Sequence, residues 1–231
     1  MKKTLFALAL SATSIAPSVA QDLSISFTNL THGNHFTPLF FSAHTPDQQL
    51  FEINTEASAS IQAMAEGGDI AGLTADLEAV NADITANPAA GVTAPGQTVN
   101  FEMNTQDINN HLSMAAMILP TNDGFVGLDS LAIPDEAGTY VYYLNGYDAG
   151  TEANDEIVNG GGAPGVAGIP ADPLGANGSN ASGVTNTENN TNIHIHRGVV
   201  GDTSTTGGAS DLDSRIHRWL NPVARLVIEV K

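Results

Sequence analysis

The sequence predicts a mainly β fold, an antiparallel β-sandwich with a short helical insertion. Three observations support this. Apolar and polar residues alternate at both ends of the chain, the signature of strands with one face buried. Helical spacing is confined to residues 56–80. Elsewhere, apolar runs of strand length are separated by stretches rich in Gly, Pro and Asn, the pattern of a sandwich and not of alternating strands and helices.

Leu23, Ile25 and Phe27 alternate with Ser24, Ser26 and Thr28, a half-buried strand. Leu39–Ala43 reads as a second, more buried strand. The period then changes. Glu56–Glu66 is rich in Ala, with Ile61 and Met64 three apart, and Ile70, Leu73, Leu77 and Val80 recur every three to four residues. These are two short helices, divided by Gly67-Gly68, with Asp69 as an N-cap-type start for the second. Residues 87–97 form a turn-rich connector. Strands resume at Val99–Met103, Leu112–Leu119 and Tyr140–Leu144. Residues 159–192 hold few large apolar side chains and read as a long irregular loop. Asn192–Arg197 is a short strand, and Ala224–Val230 closes the chain as another.

The first twenty residues read as an export signal. Lys2-Lys3 is followed by a short apolar core, Leu5–Leu10, and small residues precede Gln21. The expected product is residues 21–231, a single domain, secreted or periplasmic. No later apolar run reaches membrane-spanning length, so no integral membrane segment is expected. The chain carries 25 Asp+Glu against 7 Lys+Arg, a formal charge of −18, and no Lys or Arg lies between Lys3 and Arg197. Such a chain is a poor ligand for nucleic acid, whose phosphates need cationic partners. With no cysteine it has neither disulfides nor thiolate metal sites.

Two acidic turns follow apolar strands. Pro120 ends one strand and leads into Thr121-Asn122-Asp123-Gly124, after which Phe125-Val126 returns to apolar residues. Leu144 leads into Tyr147-Asp148-Ala149-Gly150-Thr151-Glu152, with Asp155-Glu156 beyond. If the strands are neighbours, the turns meet at one end of the sandwich. Carboxylates gathered from several loops suit Ca²⁺, which takes six to eight oxygen ligands. Asp148 and Glu152 lie four apart around a glycine, so one loop can aim both at one point. Acidic loops also arise by chance in so acidic a chain, and this second reading stays open on the residues alone.

Met114–Leu131 and Tyr147–Glu152 resemble the signature stretches of the spondin N-terminal domain, found in extracellular matrix proteins and in secreted bacterial proteins. The shared pattern is a small-residue apolar strand ending in Pro, an Asp turn, Phe-Val-Gly with Asp-Ser-Leu after it, and later a Tyr-Asp-Ala-Gly-Thr-acid turn. Ala57–Glu66 is similar to the family's helix, and the resemblance runs from about Leu23 to Val230. It implies a sandwich similar to C2 domains that binds one Ca²⁺ and is not an enzyme, an adhesion or matrix-type module with a protein or glycan partner at the cell exterior. It places the metal ligands at Asp123, Asp148 and Glu152. Glu152 stands where the family usually has Asp. Asp129 is a further ligand or, in the favoured reading, bonds its own turn.

Two other readings compete. His194 and His196 sit two apart, on one face of a strand. With His111 or His217 they make a three-histidine site and hence a transition-metal enzyme. A C2-like, calcium-dependent membrane-surface binder is the other; it needs basic or apolar loop tips, and the basic ones are missing.

Overall fold

The structure, a computed structural model, describes residues 20–175 and 178–231. The expected export signal lies outside them except for Ala20. Among the described residues no helix is long and apolar enough to cross a membrane. Every strand pair is antiparallel, so the expected mainly β class is what the chain adopts.

The N-terminal strand β1 (Asp22–Asn29) buries Leu23, Ile25 and Phe27 and turns the residues between them outward. It pairs on one side with the closing strand and on the other with Thr98–Asn104. After β2 (His35–Phe36), strand β3 (Phe40–His44) is buried along its whole length. The helices follow, α1 (Ala59–Gly67) and α2 (Ala71–Glu78). Ser58 caps α1 by accepting the Ile61 N–H at 3.2 Å, and Gly68 ends it with φ +73°. The N-cap of α2 is Ile70, one residue later than expected. Asp69 still accepts the Ala71 N–H at 2.9 Å. The helix stops at Glu78, two residues short of Val80.

Strand β4 (Asp83–Ala86) then pairs with β3, and β5 (Thr98–Asn104) with β1. Strands β6 (His111–Leu119), β7 (Gly124–Ala132) and β8 (Gly138–Asp148) form a meander. Strand β9 (His194–Ile195) adds to the end of β8, and β10 (Ala224–Val230) lies between β8 and β1.

The spatial order is β4-β3-β6-β7-β8-β10-β1-β5. Strand β8 is the corner. Its residues 138–144 pair with β10, and its residues 145–148 pair with β7. The two ends of this order therefore face each other, and the order folds into a sandwich. Phe27 of β1 meets Phe41 of β3 with ring centroids 6.0 Å apart, and Phe101 of β5 meets Phe41 at 4.9 Å. The far edges also approach one another: the Gln106 N–H, just past β5, bonds Asp83 of β4 at 2.6 Å.

Strand β6 is covered on both sides. Met114, Ala116 and Ile118 face the inner core, while Ala115, Met117 and Leu119 lie under the helices with Ile61, Met64 and Leu73. Burial on both faces explains its unbroken apolar run. Because Phe41 is fully buried between two rings, Phe41→Ala is expected to lower the unfolding free energy by about 3–5 kcal/mol in denaturant titration.

Candidate metal centre

The pairing of β7 with β8 puts Gly124 opposite Asp148. The turn 121–123 and the loop 149–152 therefore lie side by side. Thr121 fixes the turn: its hydroxyl donates to the Ile118 carbonyl at 2.6 Å and accepts the Gly124 N–H at 3.0 Å. The loop bends at Gly150, φ +71°, where a Cβ would stand 2.6 Å from the Thr191 backbone. Only glycine meets both demands.

The three predicted carboxylates share this loop end and are buried. Asp123 Oδ2 accepts the Thr151 N–H at 2.8 Å, the Glu152 N–H at 3.1 Å and the Thr151 hydroxyl at 3.2 Å. Asp148 Oδ1 accepts the Gly150 N–H at 2.9 Å, and its Oδ2 accepts Asn154 Nδ2 at 2.8 Å. Glu152 Oε2 accepts the Gly168 N–H at 3.0 Å and Asn122 Nδ2 at 3.4 Å. Two oxygens are left over. Asp123 Oδ1 and Glu152 Oε1 are buried without any hydrogen-bond partner.

Such orphans are costly, and charge makes them costlier. Among the described residues no Lys or Arg forms an ion pair with these acids. Burial, and then the nearby Asp148, push the Asp123 carboxyl up to about 8. Burial pushes Glu152 up to about 7, against the pull of the Gly168 and Asn122 bonds. The loop end thus lacks positive charge and has unused hard oxygen donors. Among the described residues no three His, Asp or Glu side chains converge closely enough to hold a metal by themselves. An ion here would take part of its shell from backbone carbonyls and water, as Ca²⁺ readily does.

Asp129 belongs elsewhere. It lies on β7, six residues along from Asp123, which is about 20 Å of extended strand. Its Oδ1 accepts the Leu50 N–H at 2.5 Å and the Phe51 N–H at 3.2 Å. It therefore braces a distant segment, neither joining the loop end nor bonding its own turn.

His194 of β9 and His196, just past it, both face Asp148. Their Nε2 atoms stand 3.8 Å (His194) and 3.9 Å (His196) from Asp148 Oδ2. Their hydrogen-bond partners assign different tautomers. His194 Nδ1 donates to the Asn192 carbonyl at 2.8 Å, leaving a lone pair on Nε2. His196 Nδ1 accepts the Gly198 N–H at 2.9 Å, so the neutral ring carries its proton on Nε2. A proton there blocks metal ligation through that atom. Burial holds His196 down at about 4, so it stays neutral. The third histidine is also absent. His111 starts β6, at the far end of that strand from Pro120, and His217 faces Asp172 at 3.5 Å.

The Spondin_N family model matches residues 26–156, more than half of the chain and both acidic turns. The chain belongs to the spondin N-terminal domain family. No curated protein matches it. Spondin N-terminal domains are typically extracellular and non-enzymatic modules. The match ends before β9 and β10, yet β10 lies inside the order, between β8 and β1. Strands β9 and β10, beyond the matched residues, therefore belong to the same sheet.

Other residues at the site were not singled out in the sequence. Asn122 bridges Glu152 and Asp155, and Asn154 holds Asp148; their only signal was a place in or beside the two turns. Glu156 is buried, and its two oxygens accept the Val200 N–H at 2.5 Å, the Gly201 N–H at 2.8 Å and the Ser210 hydroxyl at 2.5 Å. It ties the distal loops to the site, and nothing local in the sequence marks that role.

Proposed function

We propose that this spondin domain is a secreted or periplasmic, calcium-stabilised binding module of adhesion or matrix type, with Asp123, Asp148 and Glu152 as the acidic ligands of one Ca²⁺. The observation that carries this reading is the pair of buried, unpartnered oxygens, Asp123 Oδ1 and Glu152 Oε1, in a loop end where, among the described residues, no Lys or Arg pairs with an acid. When bound, Ca²⁺ supplies the missing positive charge. The chain's own residues do the rest. Thr121 and Gly150 hold the two turns together, and the amides of Thr151 and Glu152 orient Asp123. Asn154 and the Gly150 amide orient Asp148. The partner, a protein or glycan at the cell exterior, would meet a surface whose loops the ion has fixed. The histidine-metal and membrane-surface readings gain nothing here, because His196 has its proton on Nε2 and the loop tips near Asp123 carry no base.

Thermal denaturation in millimolar Ca²⁺ and in chelator tests the reading. Calcium at about tenfold over Kd adds about 1.4 kcal/mol, or roughly 3–6 °C in Tm for a domain of this size. Asp148→Ala is expected to abolish that shift. Equal melting with and without calcium, in both proteins, would remove Asp123, Asp148 and Glu152 as a calcium site.

A further inference from the structure

A second acidic feature lies away from the loop end. The segment after β3 crosses the outer face of β7 and β8 and leaves an open cavity of about 440 Å³. Glu52 and Asp129 supply its carboxylates, Tyr147 and Phe51 its aromatic rings, and Leu128 an apolar wall. The two rings pack at 5.0 Å and are backed by Phe125, so the aromatic wall is rigid. Asp129 is also fixed. Its Oδ1 is held by the Leu50 and Phe51 amides, and among the described residues no group bonds its Oδ2. Burial lifts the Asp129 carboxyl above its ordinary range. Among the described residues no Lys or Arg lines the cavity.

We propose that this cavity is a docking site for an arginine side chain presented by a protein partner. A guanidinium matches the parts present. Its planar fork bonds carboxylates such as Asp129 and Glu52, its face stacks on aromatic rings, and its three-carbon stem lies along an apolar wall such as Leu128. The charge of the chain works in the same direction. With no base between Lys3 and Arg197, most of the chain is acidic, and such a surface attracts a cationic partner.

N-acetyl-arginine methylamide is the probe, followed through the Leu128 methyl and Tyr147 ring resonances by NMR. Its neutral isostere, the citrulline derivative, is the control, and N-acetylglucosamine is the competitor. Both resonances are expected to shift saturably with the arginine probe and not with citrulline. Glu52→Gln and Asp129→Asn should each weaken binding about tenfold, the loss of one charge-assisted contact. Asn at 129 keeps an oxygen for the Leu50 and Phe51 amides, and its melting temperature checks the fold. If that variant does not fold, the exposed Glu52→Gln decides alone. Equal response to citrulline, displacement by the sugar, no saturation, or variants that bind as tightly as the parent would each overturn the assignment. Titrations in chelator and in Ca²⁺ separate this site from the proposed ion site, since neither carboxylate of the cavity belongs to the loop end.

Discussion

Asp123→Asn should make the calcium-free protein more stable at pH 8, by about 1–3 kcal/mol, because it removes a buried charge whose desolvation nothing offsets. The amide retains an oxygen for the Thr151 and Glu152 N–H groups and removes a charge that nothing in the loop end balances. The pH dependence follows from the same cause. The Asp123 carboxyl ionises near pH 4 when unfolded and is pushed up to about 8 in the fold. Between those values the folded chain holds a proton that the unfolded chain has lost. Stability in chelator therefore falls as pH rises from about 4 to 8. Glu152, pushed up to about 7, adds a smaller fall ending near that value. Asp123→Asn should remove the larger part of the slope, and Ca²⁺ should flatten it in the parent by taking the proton's place. Denaturant titrations across this range check both. A flat parent profile, together with a destabilised Asn variant, would mean that Asp123 is an ordinary satisfied acceptor.

Glu156→Ala is expected to cost about 3 kcal/mol or more. One buried carboxylate satisfies two backbone amides and one hydroxyl from residues 200–210, and alanine leaves both amides without it and the Ser210 hydroxyl with only its 3.4 Å contact to the Leu212 carbonyl. The same change should speed proteolysis within residues 199–211, because Glu156 is their tie to the end of the acidic loop. Glu156→Gln keeps one acceptor oxygen and should fall between the two. Unchanged denaturation midpoints and cleavage rates would show that these loops are held by something else.

This chain uses acids as internal acceptors where other proteins use ion pairs. Asp202 accepts the amides of Ser204, Ala209 and Ser210, and Asp211 those of Val158, Ser179 and Ala181. Two ion pairs made by Lys or Arg, Arg215–Asp213 and Lys231–Glu102, are exposed, the class that contributes little. Much of the negative charge near the C-terminal loops is thus structural wiring. Among the described residues, only at Asp123 and Glu152 do carboxylate oxygens remain buried and unused.

The strands with one wet face were legible in the sequence, since β1 and β10 alternate as a half-buried strand must. Strand β6 was legible for the opposite reason, as a run covered on both sides. Strand β7 was hidden. Gly124 and Gly127 interrupt its pattern, and Asp129 and Ser130 look like a turn until the Leu50 and Phe51 amides are seen to occupy Asp129. Strand β4 was hidden behind the end of α2, because Asp83–Ala86 becomes a strand only by pairing with β3. The corner in β8 leaves one mark, Gly146, where a Cβ would stand 2.7 Å from Trp219. At the loop end the two acidic turns were readable because each is local, and Asp123, Asp148 and Glu152 were named through the family resemblance. The histidine pair was readable as one face, but its tautomers depend on Asn192 and Gly198 backbone groups that no spacing reveals. Glu156 and Asp129 act on partners 44 to 79 residues away, which no local pattern encodes.

The most direct test of calcium binding is isothermal titration of the chelator-stripped protein at pH 7 in two buffers of different ionisation enthalpy. The account predicts one saturable Ca²⁺ site, with a Kd of about 10⁻⁴–10⁻³ M if it resembles other extracellular modules. It also predicts heats that differ between the buffers, because Asp123 and Glu152 release protons as the ion enters, and loss of the signal in Asp148→Ala. No saturable heat, or the same heat from Asp148→Ala, would contradict it.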